Sequence, residues 1–209
     1  MERRAAMRHL LLYAQAWWDA QRFDQPVWHV AAWRDQKVRH IQLHVAKALG
    51  KVVAAYGEGA GAAAGTDALA RVRDEVMPDV AIYRSQLLHT FPDCGDPAAL
   101  QCGPGVRGAT RAVPAWPSGH LPRAEQLFPV VLWLSRASAQ LAAYLEPREH
   151  GAMSPPSHIW GAIQDLHASA EALAASFAVD LVCAHQARLE ALLGAPLPAS
   201  LVEGCGEER

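Results

Sequence analysis

The chain has 209 residues, a formal net charge of −2 at pH 7 and a hydrophobic fraction of 51%. This length is sufficient for one domain with a sizeable core or for two fused halves. The near-neutral charge balance gives no indication of nucleic acid or of an anionic membrane surface as a partner. Alanine and leucine dominate the apolar residues and β-branched residues are uncommon, which favours helices over strands.

The cysteine usage and the N-terminus both predict a cytoplasmic protein. The four cysteines form no CxxC pair, which is typical of idle thiols in a reducing compartment. The apolar run Leu10–Tyr13 follows three arginines, but it is too short for the core of a signal peptide. No stretch approaches the roughly 20 apolar residues of a membrane span, so we expect no membrane partner.

The first half is predicted to contain an N-terminal helix and a longer helix that organises the rest. The first covers Glu2 to about Phe23, with Pro26 beyond its end. The second covers Arg39–Tyr56, because its apolar residues recur every three or four positions and share one side of a helix. These apolar residues are Ile41, Val45, Ala48 and Val52.

A basic column lies on another side of the Arg39–Tyr56 helix. Its members are His40, His44, Lys47 and Lys51. After a glycine-rich loop, the returning helix Thr66–His89 carries Glu75 and Asp79 one turn apart on one face. Antiparallel packing predicts that Lys47, Lys51, Glu75 and Asp79 face one another across the hairpin. Pro78 predicts a kink or a restart in the returning helix, just beyond Asp74.

A proline- and glycine-rich segment separates the two halves. Thr90–Arg123 contains six prolines and five glycines, which predicts a linker or a covering lid. The second half is predicted to be helical over Glu125–Leu145 and from Ser157, as the N-cap, to Leu193. The predicted organisation is therefore residues 1–89, a linker at 90–123, and residues 124–209, within one compact unit.

Short matches between the two halves indicate an internal duplication. Lys51–Glu58 aligns with Ala139–Glu146, and Asp79–Leu87 aligns with Asp180–Arg188. The same order of helix, loop and longer helix occurs in both halves. We therefore expect an all-α helical bundle, in which two duplicated hairpins form a four-helix core and an extra helix precedes them.

Two short motifs in the first hairpin carry a resemblance to a known family. The first helix contains Lys47-Ala-Leu-Gly50-Lys51 and the second contains Val76-Met-Pro-Asp79. These positions resemble the E-x-x-G-E and E-x-x-D motifs of the MazG-like all-α nucleoside triphosphate pyrophosphohydrolases. In that family the carboxylates bind magnesium, which holds the triphosphate for attack by water. Here lysine stands at both glutamate positions of the first motif, and the second keeps only Asp79, with Glu75 one residue out of register.

This departure predicts a catalytically degenerate protein. Magnesium sites need hard oxygen ligands, and an ammonium group repels a dication. Two interpretations stay open: the lysines pair with Glu75 and Asp79 as an interhelical salt-bridge ladder, or they bind the phosphates of a nucleotide directly. The expected ligand-binding residues are Lys47, Lys51, Glu75, Asp79 and His44. We expect no cofactor, with possible partners being a nucleotide and a second copy of the chain.

Three alternatives to this interpretation remain. The first is an active pyrophosphohydrolase that uses magnesium through unrecognised ligands. The second is a homodimeric HEPN-type ribonuclease, because Arg84–His89 fits the Rx4–6H pattern, as does Arg34–His40. The third is a metal site at His40 and His44 completed by a hairpin carboxylate, against which the neighbouring Lys47 argues.

Overall fold

The computed structural model describes residues 31–58, 65–92 and 124–197, and these ranges are helical apart from short connections. Helices α1 to α6 cover Ala31–Glu58, Gly65–Arg71, Met77–Thr90, Ala124–Glu149, Ser157–Phe177 and Leu181–Leu193. A π-helical turn at Val72–Val76 joins α2 to α3, so residues 65–90 form one continuous helix. No strand occurs in the described ranges, and the prediction of an all-α bundle is confirmed.

Four helices enclose one hydrophobic core. Helix α1 packs against the 65–90 helix and against α4, α4 packs against α5, and α5 closes the ring by packing against α3. The predicted apolar face of α1 is buried in this core, because its spacing matches the helical repeat. Its members are Ile41, Val45, Ala48 and Val52. The four-helix arrangement places the basic column of α1 beside the 65–90 helix.

The distortion predicted at Pro78 takes the form of a wide turn. The backbone N–H of Met77 donates to the Val72 carbonyl, five residues back, where an α-helix would use the fourth. Pro78 has no N–H, and its ring would clash with the carbonyl of Asp74 in a regular α-helix. The π-helical turn relieves this clash without ending the helix.

Ion pairs and rings join the two hairpins at one end of the bundle. Arg148 Nε on α4 donates to Asp35 Oδ1 on α1 at 2.5 Å, and the Arg148 guanidinium lies 5.4 Å from the Tyr144 ring centroid. The Phe91 and Tyr144 rings meet edge to face at 5.6 Å. These contacts hold the last turn of α4, which explains why the helix continues past Pro147 to Glu149, four residues beyond the predicted end.

The prediction of one helical stretch from Ser157 to Leu193 is wrong. The chain breaks after Phe177, where Ala178 adopts a left-handed conformation with φ 53°, and α6 leaves at 103° to α5. Asp180 then begins α6 by accepting hydrogen bonds from the N–H groups of Val182 and Cys183. Ser157 is also not an N-cap, because Pro156 holds that position and no side chain caps it.

The break at Ala178 also affects the duplication. Asp79 lies in the first turn of α3, within a continuous helix, whereas its aligned partner Asp180 caps α6. Helix α6 packs against α3. Both halves contain a hairpin, and the duplication itself stays a prediction. The predicted helix Glu2–Phe23, most of Thr90–Arg123 and the C-terminal residues lie outside the described residues.

Candidate functional site

Lys51 and Glu75 meet across the first hairpin. Lys51 Nζ donates to Glu75 Oε2 at 2.5 Å, with both side chains about two-fifths exposed at 43% and 40%. This hydrogen bond lowers the pKa of Glu75, with further contributions from the Lys51 and Arg188 charges. Lys51 and Glu75 therefore form an interhelical salt bridge that is partly exposed to solvent.

Asp79 is bound by a different cation from the lysines of α1. Arg188 on α6 donates through Nε to Oδ1 at 2.8 Å and through Nη2 to Oδ2 at 3.3 Å. Both side chains are mostly buried, with 17% of Asp79 and 28% of Arg188 exposed. The hydrogen bond raises the pKa of Arg188. Two parallel bonds from a planar guanidinium fix the carboxylate in orientation as well as position.

A tyrosine connects Asp79 to the histidines of the basic column. The Tyr83 hydroxyl lies 3.2 Å from His44 Nδ1, and the His40 and His44 rings are 4.4 Å apart between centroids. Burial raises the pKa of Tyr83, and the Asp79 charge raises it further. The hydroxyl therefore stays protonated, and a neutral imidazole beside it presents one donor and one acceptor.

Both histidines of the column are neutral at pH 7. Burial lowers the pKa of His40, as do His44, Lys37 and Lys47. Burial also lowers the pKa of His44, with Lys47 adding to the effect and Asp79 opposing it. The charges of Lys37 and Lys47 on this side of α1 thus add to the effect of burial, and the two imidazoles carry no charge of their own.

Lys47 extends from the same side of α1 into solvent. It is exposed, and it forms no ion pair or hydrogen bond with any residue in the described ranges. The structure thus brings Lys51 to Glu75 and His44 to Tyr83, and it sets Asp79 against Arg188. Lys47 is the column's charged group that remains available to an external anion.

The described residues do not form a metal site. Within residues 31–58, 65–92 and 124–197, no group of three or more His, Cys, Asp and Glu side chains has a metal-binding arrangement. Glu75 and Asp79 each accept from a cation, and a metal ion would have to displace that cation before either carboxylate became a ligand.

The arginine and histidine of the Rx4–6H pattern lie apart on α3. Arg84 and His89 are five residues apart in one uninterrupted helix, so they are rotated by about 140° around its axis. Arg84 lines a cavity against α5 and α6. One helix therefore does not present both side chains in the same direction.

Comparisons with known protein-family models, curated proteins and solved structures found no match to this chain. The MazG-like resemblance accordingly rests on the motif residues of the hairpin. Of the helices in the described ranges, none is individually long and apolar enough to cross a membrane. Helices α5 and α6 reach that length and apolar composition only when taken together, as a bent pair.

Tyr83 and Arg188 are parts of the site that the sequence did not reveal. Tyr83 lies four residues after Asp79, so its place on the same face was readable from the helical spacing. The position of Arg188 beside Asp79 could not be predicted, because it depends on the change of chain direction at Ala178. The Asp180 cap was the available signal for that break, since aspartate is strongly preferred at helix N-termini.

Proposed function

We propose that this chain is a MazG-like helical protein that binds a phosphate-bearing ligand, such as a nucleotide, without hydrolysing it. One observation carries the proposal: Glu75 and Asp79 are each paired with a cation, while Lys47 in the basic column of α1 is not paired with any described residue. The carboxylates are therefore occupied, and the remaining electrostatic attraction is for an anion.

The α1 column offers the donors that a phosphate group needs. Lys47 supplies a compact positive charge with three donors. His40 and His44 lie on the same side of α1, and the neutral ring of His44 carries one N–H. The contact between Tyr83 and His44 holds that ring in place from the α3 side. Phosphate oxygens accept several hydrogen bonds at once, so such a mixed set of donors suits them.

The proposal predicts a specific pattern of binding. Inorganic triphosphate and nucleoside triphosphates should raise the melting temperature of the full chain in the presence of a magnesium chelator. Bound phosphate should also raise the pKa of His40 and His44, because a nearby negative charge favours the imidazolium. Proton NMR of the imidazole C–H signals, titrated with and without triphosphate, measures that change directly.

Lys47→Ala is the decisive variant, and Arg39→Ala is its matched control. Arg39 is also an exposed cation on α1, but it pairs with Glu149 on α4. We expect Lys47→Ala to abolish the thermal shift and the histidine response, and Arg39→Ala to keep both. Unchanged histidine titration in the wild-type chain at saturating triphosphate would reject the proposal.

Three further properties belong to the same proposal. We propose that the protein is cytoplasmic, supported by its cysteine usage, and that it arose by internal duplication, supported by the two hairpins. We also propose that it forms a homo-oligomer. Phe128 and Leu132 support this, because they lie one turn apart on α4 and are about half exposed, at 50% and 48%.

A further inference from the structure

A cavity lies between α3, α5 and the beginning of α6. Its volume is about 430 Å³, within the range of roughly 300–1,000 Å³ that is typical of small-molecule sites. Apolar side chains, several of them alanines, form much of its wall: Ala81, Ala174, Ala175, Val179, Leu181 and Val182. None of the residues that line it belongs to α1, so it is separate from the basic column.

One ring nitrogen of a buried histidine in the wall of this cavity has no hydrogen-bond partner among the described residues. His185 is 4% exposed, and its Nε2 atom is buried without a partner among the described residues. Burial, together with the Arg84 charge, lowers the pKa of His185 to about 3, so the ring is neutral. Buried polar atoms are nearly always satisfied in folded proteins. A ligand in the cavity would supply the missing partner.

The turn that shapes the cavity is held in an unusual conformation. Ala178 lines the cavity with a left-handed backbone. Two backbone hydrogen bonds close the turn, from Ala178 N–H to the Ala175 carbonyl at 3.2 Å and from Val179 N–H to the Ala174 carbonyl at 2.9 Å. Non-glycine residues adopt this conformation only where the surrounding structure holds them. The cavity wall is therefore fixed by the fold.

Arg84 is the cation among the residues that line the cavity, and the carboxylates of Glu171 and Asp180 also line it. Its guanidinium carries five N–H donors, so it can bind a ligand alongside a protein partner. The N-terminus of α6 is not the anion site, because the Asp180 side chain already accepts from Val182 and Cys183. A planar guanidinium matches a carboxylate in two-point geometry.

We infer that this cavity binds a small organic acid, with its carboxylate on Arg84, its compact apolar body against the alanine wall and a polar group within reach of His185. The small side chains leave room for a short aliphatic or branched chain. This site is independent of the triphosphate site proposed on α1.

The experiment uses the full chain and matched pairs of short-chain carboxylic acids and their primary amides. Thermal shift and isothermal titration calorimetry should detect the acids and not the amides, because only the acids carry the charge. We expect Arg84→Gln to weaken binding about tenfold or more, since charge-assisted hydrogen bonds are lost. Arg73→Gln, at an exposed arginine that pairs with Asp74, is the matched control and should bind normally.

A cavity-filling variant keeps the test valid if Arg84→Gln does not fold. Ala175 is exposed and lines the cavity, so Ala175→Leu should block it, while Ala139→Leu on α4 should not. Lys47→Ala should leave binding of the acids intact. The inference would be overturned if no acid binds the wild-type chain, if amides or inorganic phosphate bind equally well, or if binding survives Ala175→Leu.

Discussion

Arg188 binds Asp79 through two hydrogen bonds that connect residues 109 positions apart, at 2.8 and 3.3 Å. This pair joins α6 to α3, and it neutralises the aspartate of the hairpin motif. The sequence predicted that the lysines of α1 would pair with Asp79. In the structure an arginine from the last described helix forms that ion pair instead.

We expect loss of this pair to destabilise the fold. Arg188→Gln should cost about 1–3 kcal/mol in the free energy of unfolding, because it leaves a mostly buried carboxylate without its cation. Chemical denaturation of Arg188→Gln, Asp79→Asn and the double variant measures the coupling. Since the double variant leaves no charge unpaired, its loss should be smaller than the sum of the single losses. Additive losses would show that the two side chains do not interact in solution.

The Lys51–Glu75 pair is expected to contribute less, because it is exposed. Lys51→Glu should lower stability by about 1 kcal/mol or less, and Glu75→Lys in the same chain should restore part of the loss. Lys47→Glu is the comparison, since Lys47 forms no hydrogen bond or ion pair with Glu75. Rescue of Lys47→Glu by Glu75→Lys, measured by urea denaturation, would contradict the observed pairing.

His185 should make the fold sensitive to acid. Its pKa is about 3 in the folded chain against an ordinary value of 6.5, so the unfolded chain takes up a proton that the folded chain does not. Stability from this residue is therefore complete above pH 6.5 and falls as the pH decreases towards 3, by up to about 1.4 kcal/mol per pH unit. Carboxylates titrate in the same range, so the measurement is the difference between wild type and His185→Gln. Parallel stability curves for the two chains would refute it.

Magnesium-dependent pyrophosphohydrolase activity should be absent. Lys47 and Lys51 stand where the resemblance places metal-binding glutamates, and the hairpin carboxylates are paired with cations. We expect no release of pyrophosphate from any of the common ribo- or deoxyribonucleoside triphosphates. Activity that Asp79→Asn abolishes and Arg188→Gln preserves would contradict this, because both variants break the ion pair but only the first removes a carboxylate ligand.

The bundle was predictable because its helices follow from local spacing. Ile41, Val45 and Val52 repeat at helical intervals and are fully buried. The Lys51–Glu75 contact followed from the same periodicity applied to two helices that are neighbours in the sequence. Pro78 predicted a distortion because proline lacks a backbone N–H. The π-helical turn lies just before Pro78 in the sequence.

The remaining contacts of the site depend on one change in chain direction, which helical propensities do not predict. The alanines before Ala178 favour continuing a helix, so the sequence suggested one stretch through to Leu193. The left-handed Ala178 turns the chain instead, and this turn places Arg188 beside Asp79 and His185 beside Arg84. Contacts between distant residues that depend on such a turn cannot be read from periodicity alone.

Because of the π-helical turn at Val72–Val76, the directions of the site's side chains depend on the number of residues in this part of the helix. A turn of this kind is equivalent to the insertion of one residue into an α-helix. All side chains after it are rotated by about 100° relative to an uninterrupted helix, and Asp79 and Tyr83 are among them. A relative that lacked one residue here could continue as a regular α-helix, and it would still direct the residues aligned with Asp79 and Tyr83 towards α1 and α6. Its alignment to this chain would contain a single gap, and that gap would mark the loss of the π-helical turn, with the directions of Asp79 and Tyr83 kept.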